Sequence, residues 1–139
     1  MDASALSEIP GGPELIAWFG HAPTFHDAEI LELFLNRDGE STLRIHAWRM
    51  TDQVNEKNEF ISDKHAIVTF KLHGISALQL DGFSSQNVIF GLQLRRLGSA
   101  TAPAHADEPG GYELTLEPCY GLHGVICAAR LSVTVASGE

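Results

Sequence analysis

A short segment near the N-terminus carries the side chains best suited to chemistry. The segment PTFHDAE, residues 23–29, holds His26, Asp27 and Glu29 close together, and His46 follows on the next predicted strand. Imidazole and carboxylate groups can bind a metal ion together or transfer protons. These residues therefore raise the hypothesis of a small metal- or ligand-binding β-domain.

The alternative for the same segment is structural. Side chains alternate between the two faces of a strand, so His26 and Asp27 point to opposite faces, whereas Asp27 and Glu29 share one. Only a bend within the segment would bring His26 and Asp27 together. In the structural interpretation, Asp27 accepts backbone N–H bonds where the strand begins, and His26 packs beside Phe25 and Trp18. The alternation favours this interpretation.

No other set of residues matches a chemical motif. The histidines are scattered, with neither H-x-H nor H-E-x-x-H spacing. They are His21, His26, His46, His65, His73, His105 and His123. Cys119 and Cys127 are too far apart for a C-x-x-C pair, and "GFSSQN" lacks the G-x-S-x-G frame of a serine nucleophile. The sequence therefore predicts a protein that is not an enzyme, with no catalytic residue, no metal and no cofactor.

Trp48 is the candidate for a binding surface. Residues 43–48 alternate, so Trp48 shares a face with Arg44 and His46, opposite an apolar face. If the apolar face is the core, Trp48 lies on the surface, and tryptophan is enriched in interface hot spots. The alternative is that Trp48 belongs to a second buried layer, as in a sandwich. The sequence leaves both open.

Alternating apolar and polar residues predict about seven strands. They are 28–37, 43–48, 64–73, 75–80, 88–95, 112–117 and 125–135. Asp38-Gly39 predicts a hairpin between the first two, and Gly74 separates the third from the fourth. The sequence thus predicts a mainly β fold, an antiparallel β-sandwich or open barrel with one short N-terminal helix.

The remaining segments are predicted to surround this sheet. Residues 1–12 contain Pro-Gly-Gly and predict a loose N-terminal lead-in, followed by a short helix at 14–19. The polar segment 51–63 has no periodicity and predicts a long loop, and residues 98–111 predict a flexible one. A chain of 139 residues can bury one core, so we expect a single domain, 1–139.

The net charge limits the partners. The chain has 18 acidic and 9 basic side chains and a net charge of −9. This charge repels nucleic acid and anionic lipid, so we expect no nucleic acid and no membrane as partner, whereas it attracts a basic protein. The N-terminus resembles no secretory signal, and a cytoplasmic location is expected. A homo-oligomer formed through the sheet is a further interpretation.

Several stretches together resemble a known family. They are FHDAEI at 25–30, VTFKLHGISALQLDGF at 68–83, QNVI at 86–89 and GLHGVICAARLSVTV at 121–135. In this order they resemble the bacterial immunity protein 50 family, which consists of small all-β proteins associated with polymorphic toxin systems. The resemblance implies a stoichiometric inhibitor that binds and blocks a toxin, in many cases a basic nuclease. It supplies no catalytic residue. The contacts would then come from residues 51–63, acidic turns and Trp48.

Overall fold

The computed structural model describes the backbone of residues 3–54, 56–58, 60–97 and 111–137, and their side chains except those of residues 3, 49–54 and 60–64. Two helices precede the strands. The elements are α1 (Ala3–Glu8), α2 (Gly12–Phe19), β1 (Glu29–Phe34), β2 (Ser41–Val54), β3 (Phe60–Asp81), β4 (Val88–Arg96), β5 (Tyr112–Tyr120) and β6 (His123–Ser137). No helix in these ranges has the length and apolar character of a membrane span.

The strands form one antiparallel sheet in the order β1-β2-β3-β6-β5-β4. The sheet closes into a barrel where Glu29 of β1 pairs with Val88 of β4. This architecture confirms the predicted mainly β, antiparallel fold. Two strands predicted to be separate form one strand, because β3 runs through Gly74. That glycine adopts a left-handed φ of 66°, which costs it little since it has no Cβ.

The core is built from the inward-facing side chains of the barrel. In β2, Leu43, Ile45 and Ala47 are buried, and the residues between them are partly exposed. Further buried side chains of the sheet include Val68, Phe70, Leu72, Ile89, Leu92, Leu114, Leu116 and Ile126. The period-two pattern thus predicts correctly the buried face of β2 and of residues 66–72 in β3.

In β4 and β6 the predicted face is partly wrong. In β4 the alternation predicts that Phe90 is buried opposite Ile89, but Ile89 is buried and Phe90 is 55% exposed, next to irregularities in the β4–β5 register. In β6 it predicts the face of Cys127 and Ala129, whereas Ile126 and Ala128 are buried.

The N-terminal segment is not the loose lead-in that the sequence predicts. Residues 3–8 form α1, and Leu6 and Ile9 are almost completely buried. The carbonyl of Pro10 accepts a 2.9 Å hydrogen bond from the amide of Val133 in β6. The prediction was wrong because a helix this short is stabilised by tertiary packing, which local sequence does not show.

The second helix forms where one short helix was predicted. It begins at Gly12, and it ends at Gly20, whose φ is 83° and whose amide donates to the carbonyl of Ile16 at 2.8 Å. Leu15 and Phe19 are buried on its inner face. The chain therefore docks two short helices on the barrel instead of one.

The polar segment 51–63 is not the long loop that was predicted. β2 continues to Val54 and β3 begins at Phe60, and these two residues are themselves a pair in the hairpin. The prediction was wrong because strand pairing depends on backbone hydrogen bonds, which a polar sequence makes as well as an apolar one.

The second predicted loop, 98–111, lies outside the described residues apart from its last residue. Gly111 accepts a 2.8 Å hydrogen bond from the amide of Leu97 through its carbonyl. This bond continues the antiparallel pairing of β4 with β5 beyond Arg96 and Tyr112. The two ends of the segment are therefore held side by side.

Candidate functional site

The chain bends sharply at residues 24–27, directly before β1. Phe25 and Asp27 adopt φ values of 62° and 64°, a left-handed region that residues other than glycine rarely adopt. The amide of Asp27 donates to the carbonyl of Ile89 in β4 at 3.0 Å. The buried ring of Phe25 packs edge-on against Phe70, with the ring centroids 6.1 Å apart. The buried ring and the backbone bond hold the chain in this bend.

The bend brings His26 and Asp27 together. Nε2 of His26 lies 3.5 Å from Oδ2 of Asp27, and both side chains are about half exposed. Nδ1 of His26 lies 2.9 Å from the carbonyl oxygen of Phe90, and because a carbonyl can only accept, Nδ1 carries the hydrogen. The ring of His26 packs edge-on against Phe90, with the ring centroids 5.0 Å apart. Strand β4 therefore orients the imidazole, and its Nε2 faces the carboxylate.

Three of the predicted site residues share a cleft between this bend and β2. The cleft has a volume of about 200 Å³, and His26, Asp27 and Trp48 lie in its wall. The other lining residues are Phe19, His21, Pro23, Thr24, Phe25 and Ala47. An imidazole, a carboxylate and an indole are thus placed where they can contact one small molecule.

The other two predicted site residues lie outside this cleft. Glu29 on β1 and His46 on β2 are directly opposite each other in the strand register, on the outer face of the barrel. Nε2 of His46 lies 3.2 Å from Nδ1 of His65 on β3, and the two rings stack. The ring of Trp48 lies 5.3 Å from that of His46. Trp48 is therefore a half-buried residue of the outer face, in a cluster with His46 and His65 that we call the three-ring cluster.

His65 is a site residue that sequence reasoning missed. The alternation places it on the face opposite Ala66 and Val68, which is the outer face. Its position beside His46 depends on the β2–β3 register, which the local sequence does not contain. The predicted loop at 51–63 separates the two strands, so no signal in the sequence indicates that His46 and His65 meet.

The predicted site residues do not form one set of metal ligands. Within the described part of the chain, no group of three or more His, Cys, Asp or Glu side chains is arranged to hold a metal ion. His26 and Asp27 contact each other, whereas His46 contacts His65. The structure therefore divides the predicted site into two parts, the cleft and the three-ring cluster. Trp48 belongs to both.

A larger apolar surface lies between β1 and the second half of β3. Two cavities there, of about 700 and 460 Å³, share Leu35 and Leu78 and therefore form one continuous depression. We call it the β1–β3 groove. Its apolar lining residues are Leu33, Leu35, Leu72, Ile75, Leu78, Leu80, Phe83 and Leu122. The sequence predicted no site at these residues.

The groove exists because β3 extends beyond its neighbour β2. The pairing of β2 with β3 reaches only to Ser41–Leu72, whereas β3 continues to Asp81 and pairs there with β6. Leu78 is opposite Ile126 in this pairing and shares its inward face. Yet Leu78 is 41% exposed, while Ile126 is fully buried. The apolar interior of the barrel is therefore open to solvent at this end.

A buried amide fixes the floor of the groove. Oδ1 of Asn87 accepts hydrogen bonds from the amides of Ser84 and Leu122 at 2.9 and 3.0 Å, and Nδ2 donates to the carbonyl of Ser84 at 2.9 Å. These bonds hold Leu122 in the position where it lines the groove. The groove is therefore shaped before any partner arrives.

Few charged side chains line the groove. Asp81 lines the larger cavity and Arg37 the smaller one. Arg37 lies 3.5 Å from the carboxylate of Asp38. Glu40, in the same turn, lies 3.1 Å from Nε2 of His73. A partner that enters the larger cavity therefore meets the Asp81 carboxylate beside an apolar surface.

No family model, curated protein or solved structure matches this chain. Its function is therefore inferred from its own surface. The two cavities of the groove, of about 700 and 460 Å³, are each larger than the cleft of about 200 Å³.

Proposed function

We propose that this protein is a non-enzymatic protein-binding domain whose β1–β3 groove holds a basic partner protein. The observation that carries the proposal is the exposure of Leu35, Leu78 and Phe83 along one continuous groove. Contiguous apolar surface with a polar rim marks interaction sites on soluble proteins, because leaving it in water is unfavourable. A partner that covers the groove removes this surface from water.

The charge of the chain selects the sign of the partner. A net charge of −9 accelerates the approach of a basic protein and slows that of an acidic one. The carboxylate of Asp81, which lines the groove, then faces the basic residues of the partner. Electrostatic attraction supplies the speed and selectivity of binding, and apolar contact in the groove supplies its lifetime.

The family resemblance suggests which kind of basic protein this is. The stretch 68–83, which resembles the immunity protein 50 family, includes the groove residues Leu78, Leu80 and Phe83. We therefore propose that the partner is a bacterial toxin domain in the cytoplasm and that this protein inhibits it by forming a stoichiometric complex. The same groove would then be the inhibitory surface.

The test is affinity purification from the native host with three forms of the protein in parallel: wild type, Leu78→Glu and Leu31→Glu. Leu31 is a matched control because it is 42% exposed, like Leu78, but does not line the groove. We expect wild type and Leu31→Glu to retain the same basic protein, and Leu78→Glu to lose it. The retained protein is then purified and titrated with each form by calorimetry.

The expected result is a complex of defined stoichiometry whose affinity falls as the salt concentration rises. The affinity should fall at least tenfold in Leu78→Glu, because this substitution places an uncompensated carboxylate in an apolar contact. Equal retention by all three forms, or an acidic retained protein, would contradict the proposal. Far-ultraviolet circular dichroism of Leu78→Glu shows whether the variant is folded. If it is not, Leu78→Ser serves in its place.

A further inference from the structure

The second half of β3 pairs with β6 along one of its two edges. Ala77 to Asp81 pair one-to-one with β6 along one edge, from Cys127 to His123. Within the described residues, no strand pairs with the other edge, because β2 stops pairing at Leu72. Leu78, Leu80 and Asp81 of this segment line the β1–β3 groove.

Between its charged end at Asp81 and the irregular register at its start, the edge lacks the features by which proteins usually block strand addition. Its sequence, Ala-Leu-Gln-Leu-Asp at 77–81, contains no proline and no lysine. The irregular register lies between Ile75 and Ala77, at one end, and leaves the rest of the edge regular. In contrast, on the edge of β6 beyond its pairing with β5, the amide of Val133 donates to Pro10 of the N-terminal segment. Within the part of the chain that the structure describes, the edge at Ala77–Asp81 receives no such contact from a strand.

The edge at Ala77–Asp81 and the groove lie side by side. Leu78 and Leu80 belong to the edge strand and line the groove, and Leu33 and Leu35 lie on the other side of the same cavity. A strand that paired with this edge would direct every second side chain into the groove and the others to solvent. A segment in which apolar and basic residues alternate would place its apolar side chains in the groove and its basic side chains in solvent.

We propose that the groove binds its partner by β-strand addition: an extended basic-apolar segment of the partner pairs with Ala77–Asp81 of β3. This inference rests on the proposed protein-binding function. It adds that β3 recognises the backbone of the partner segment. Main-chain hydrogen bonds then give affinity, and the apolar groove selects the side chains. A second copy of this chain is the less favoured occupant, because each copy carries a charge of −9.

The experiment uses the full chain and a capped hexapeptide in which lysine alternates with leucine. Alternate residues of a strand direct their amides to opposite edges. N-methylation of all lysines therefore blocks one edge of the peptide, and N-methylation of all leucines blocks the other. Strand addition predicts that one methylated peptide binds like the parent and that the other binds at least about tenfold more weakly, through loss of several hydrogen bonds.

Further measurements test the charge of the peptide, the place where it binds and the oligomeric state of the protein. A peptide with glutamate in place of lysine should bind at least tenfold more weakly than the parent, and Leu78→Glu should weaken parent binding while Leu31→Glu does not. Hydrogen exchange should slow at alternate amides of Ala77–Asp81 when the peptide binds. Ultracentrifugation of the protein alone should show a monomer. A dimer that Leu78→Glu dissociates would identify a second copy as the occupant and overturn the proposal.

The outcomes separate strand addition from the proposed function. If the host partner requires Leu78 but both methylated peptides bind like the parent, the groove binds protein through side chains alone and strand addition is wrong. Failure of the parent peptide to bind at millimolar concentration likewise overturns strand addition. If in addition no host partner depends on Leu78, the protein-binding function fails with it.

Discussion

Nε2 of His46 lies 3.2 Å from Nδ1 of His65 on the neighbouring strand, and the two imidazoles stack with their planes 28° apart. Between two neutral imidazoles, the nitrogen of one ring donates a hydrogen bond and the nitrogen of the other ring accepts it. The ring of Trp48 lies against both. The three-ring cluster therefore joins β2 to β3 on the outer face, independently of the core.

The first prediction is that His46 and His65 are energetically coupled. We expect His46→Ala and His65→Ala each to lower the free energy of unfolding by about 0.5–1.5 kcal/mol, through the lost hydrogen bond and ring contacts. The double variant should lose about 0.5 kcal/mol less than the sum, because the shared bond is lost only once. Urea unfolding measures all three. His46→Ala combined with His21→Ala, an exposed residue of the cleft, should be additive, and additivity in both cycles would rule out the coupling.

The second prediction concerns the backbone of Asp27. Its φ of 64° is unfavourable for a β-branched residue and free of strain for glycine. We expect Asp27→Val to lower the free energy of unfolding by about 1–2 kcal/mol, and Asp27→Gly to leave it unchanged or raise it, because the contact with His26 is solvent-exposed. Thermal and urea unfolding would show the difference.

The matched control for Asp27 is Asp38, which is an exposed aspartate in a turn and has no positive φ. Asp38→Val should change the free energy of unfolding by no more than about 0.5 kcal/mol. If Asp27→Val and Asp38→Val have the same effect, the left-handed conformation at Asp27 stores no strain.

The sequence predicts the strand faces where the register is regular, because alternation is a local property, and it fails at Ile89 and Phe90, where the β4–β5 register is irregular. Leu43, Ile45 and Ala47 are inside the barrel, as their spacing indicates. His26 and Asp27 could meet only through a bend, and the formation of that bend depends on Phe70 and Ile89, which lie far along the chain. A local pattern cannot show such partners.

The groove could not be predicted because it arises from a difference in pairing length. The residues Ile75 to Leu80 carry an apolar alternation that is correct for a strand. These residues are exposed because the pairing of β2 with β3 ends at Ser41. No feature of residues 75–80 indicates where another strand ends. Similarly, the burial of Leu6 depends on a docking contact with the barrel that local propensity does not contain.

The third prediction concerns Gly11, which lies between α1 and α2 in the chain and against Val133 of β6. Its φ is 86°, and a Cβ at this position would lie only 1.6 Å from the carbonyl oxygen of Val133. Gly11→Ala must therefore displace the segment that pairs with β6, and we expect a loss of about 2–4 kcal/mol in the free energy of unfolding. Urea unfolding measures this loss.

The control for Gly11 is Gly39, where a Cβ would meet only the side chain of Asn36, at 3.2 Å. Because that side chain can move, Gly39→Ala should change the free energy of unfolding by less than about 1 kcal/mol. Equal effects at the two glycines would show that the contact of Gly11 with β6 does not contribute to stability.

The last prediction concerns the thiol of Cys127, which faces Glu113 across the β5–β6 pairing. Burial raises the pKa of Cys127 above its ordinary value, and the Glu113 carboxylate raises it further, against a smaller opposing effect of Arg95. In a Cys119→Ser background, where only Cys127 can react, alkylation by iodoacetamide should therefore rise at higher pH in the folded protein than in urea.

The same shift predicts the sign of an effect on stability. Because the folded pKa exceeds the unfolded one, the thiol stabilises the fold fully below the unfolded pKa, and this contribution is lost as the pH rises through the folded pKa. The free energy of unfolding of Cys119→Ser should therefore fall in the alkaline range more than that of Cys119→Ser/Cys127→Ala. Glu113→Gln removes the carboxylate that raises the pKa of Cys127 and that Arg95 contacts at 3.1 Å. The alkylation profile should therefore move to lower pH. A profile that stays in place would show that the Glu113 carboxylate has no influence on the thiol.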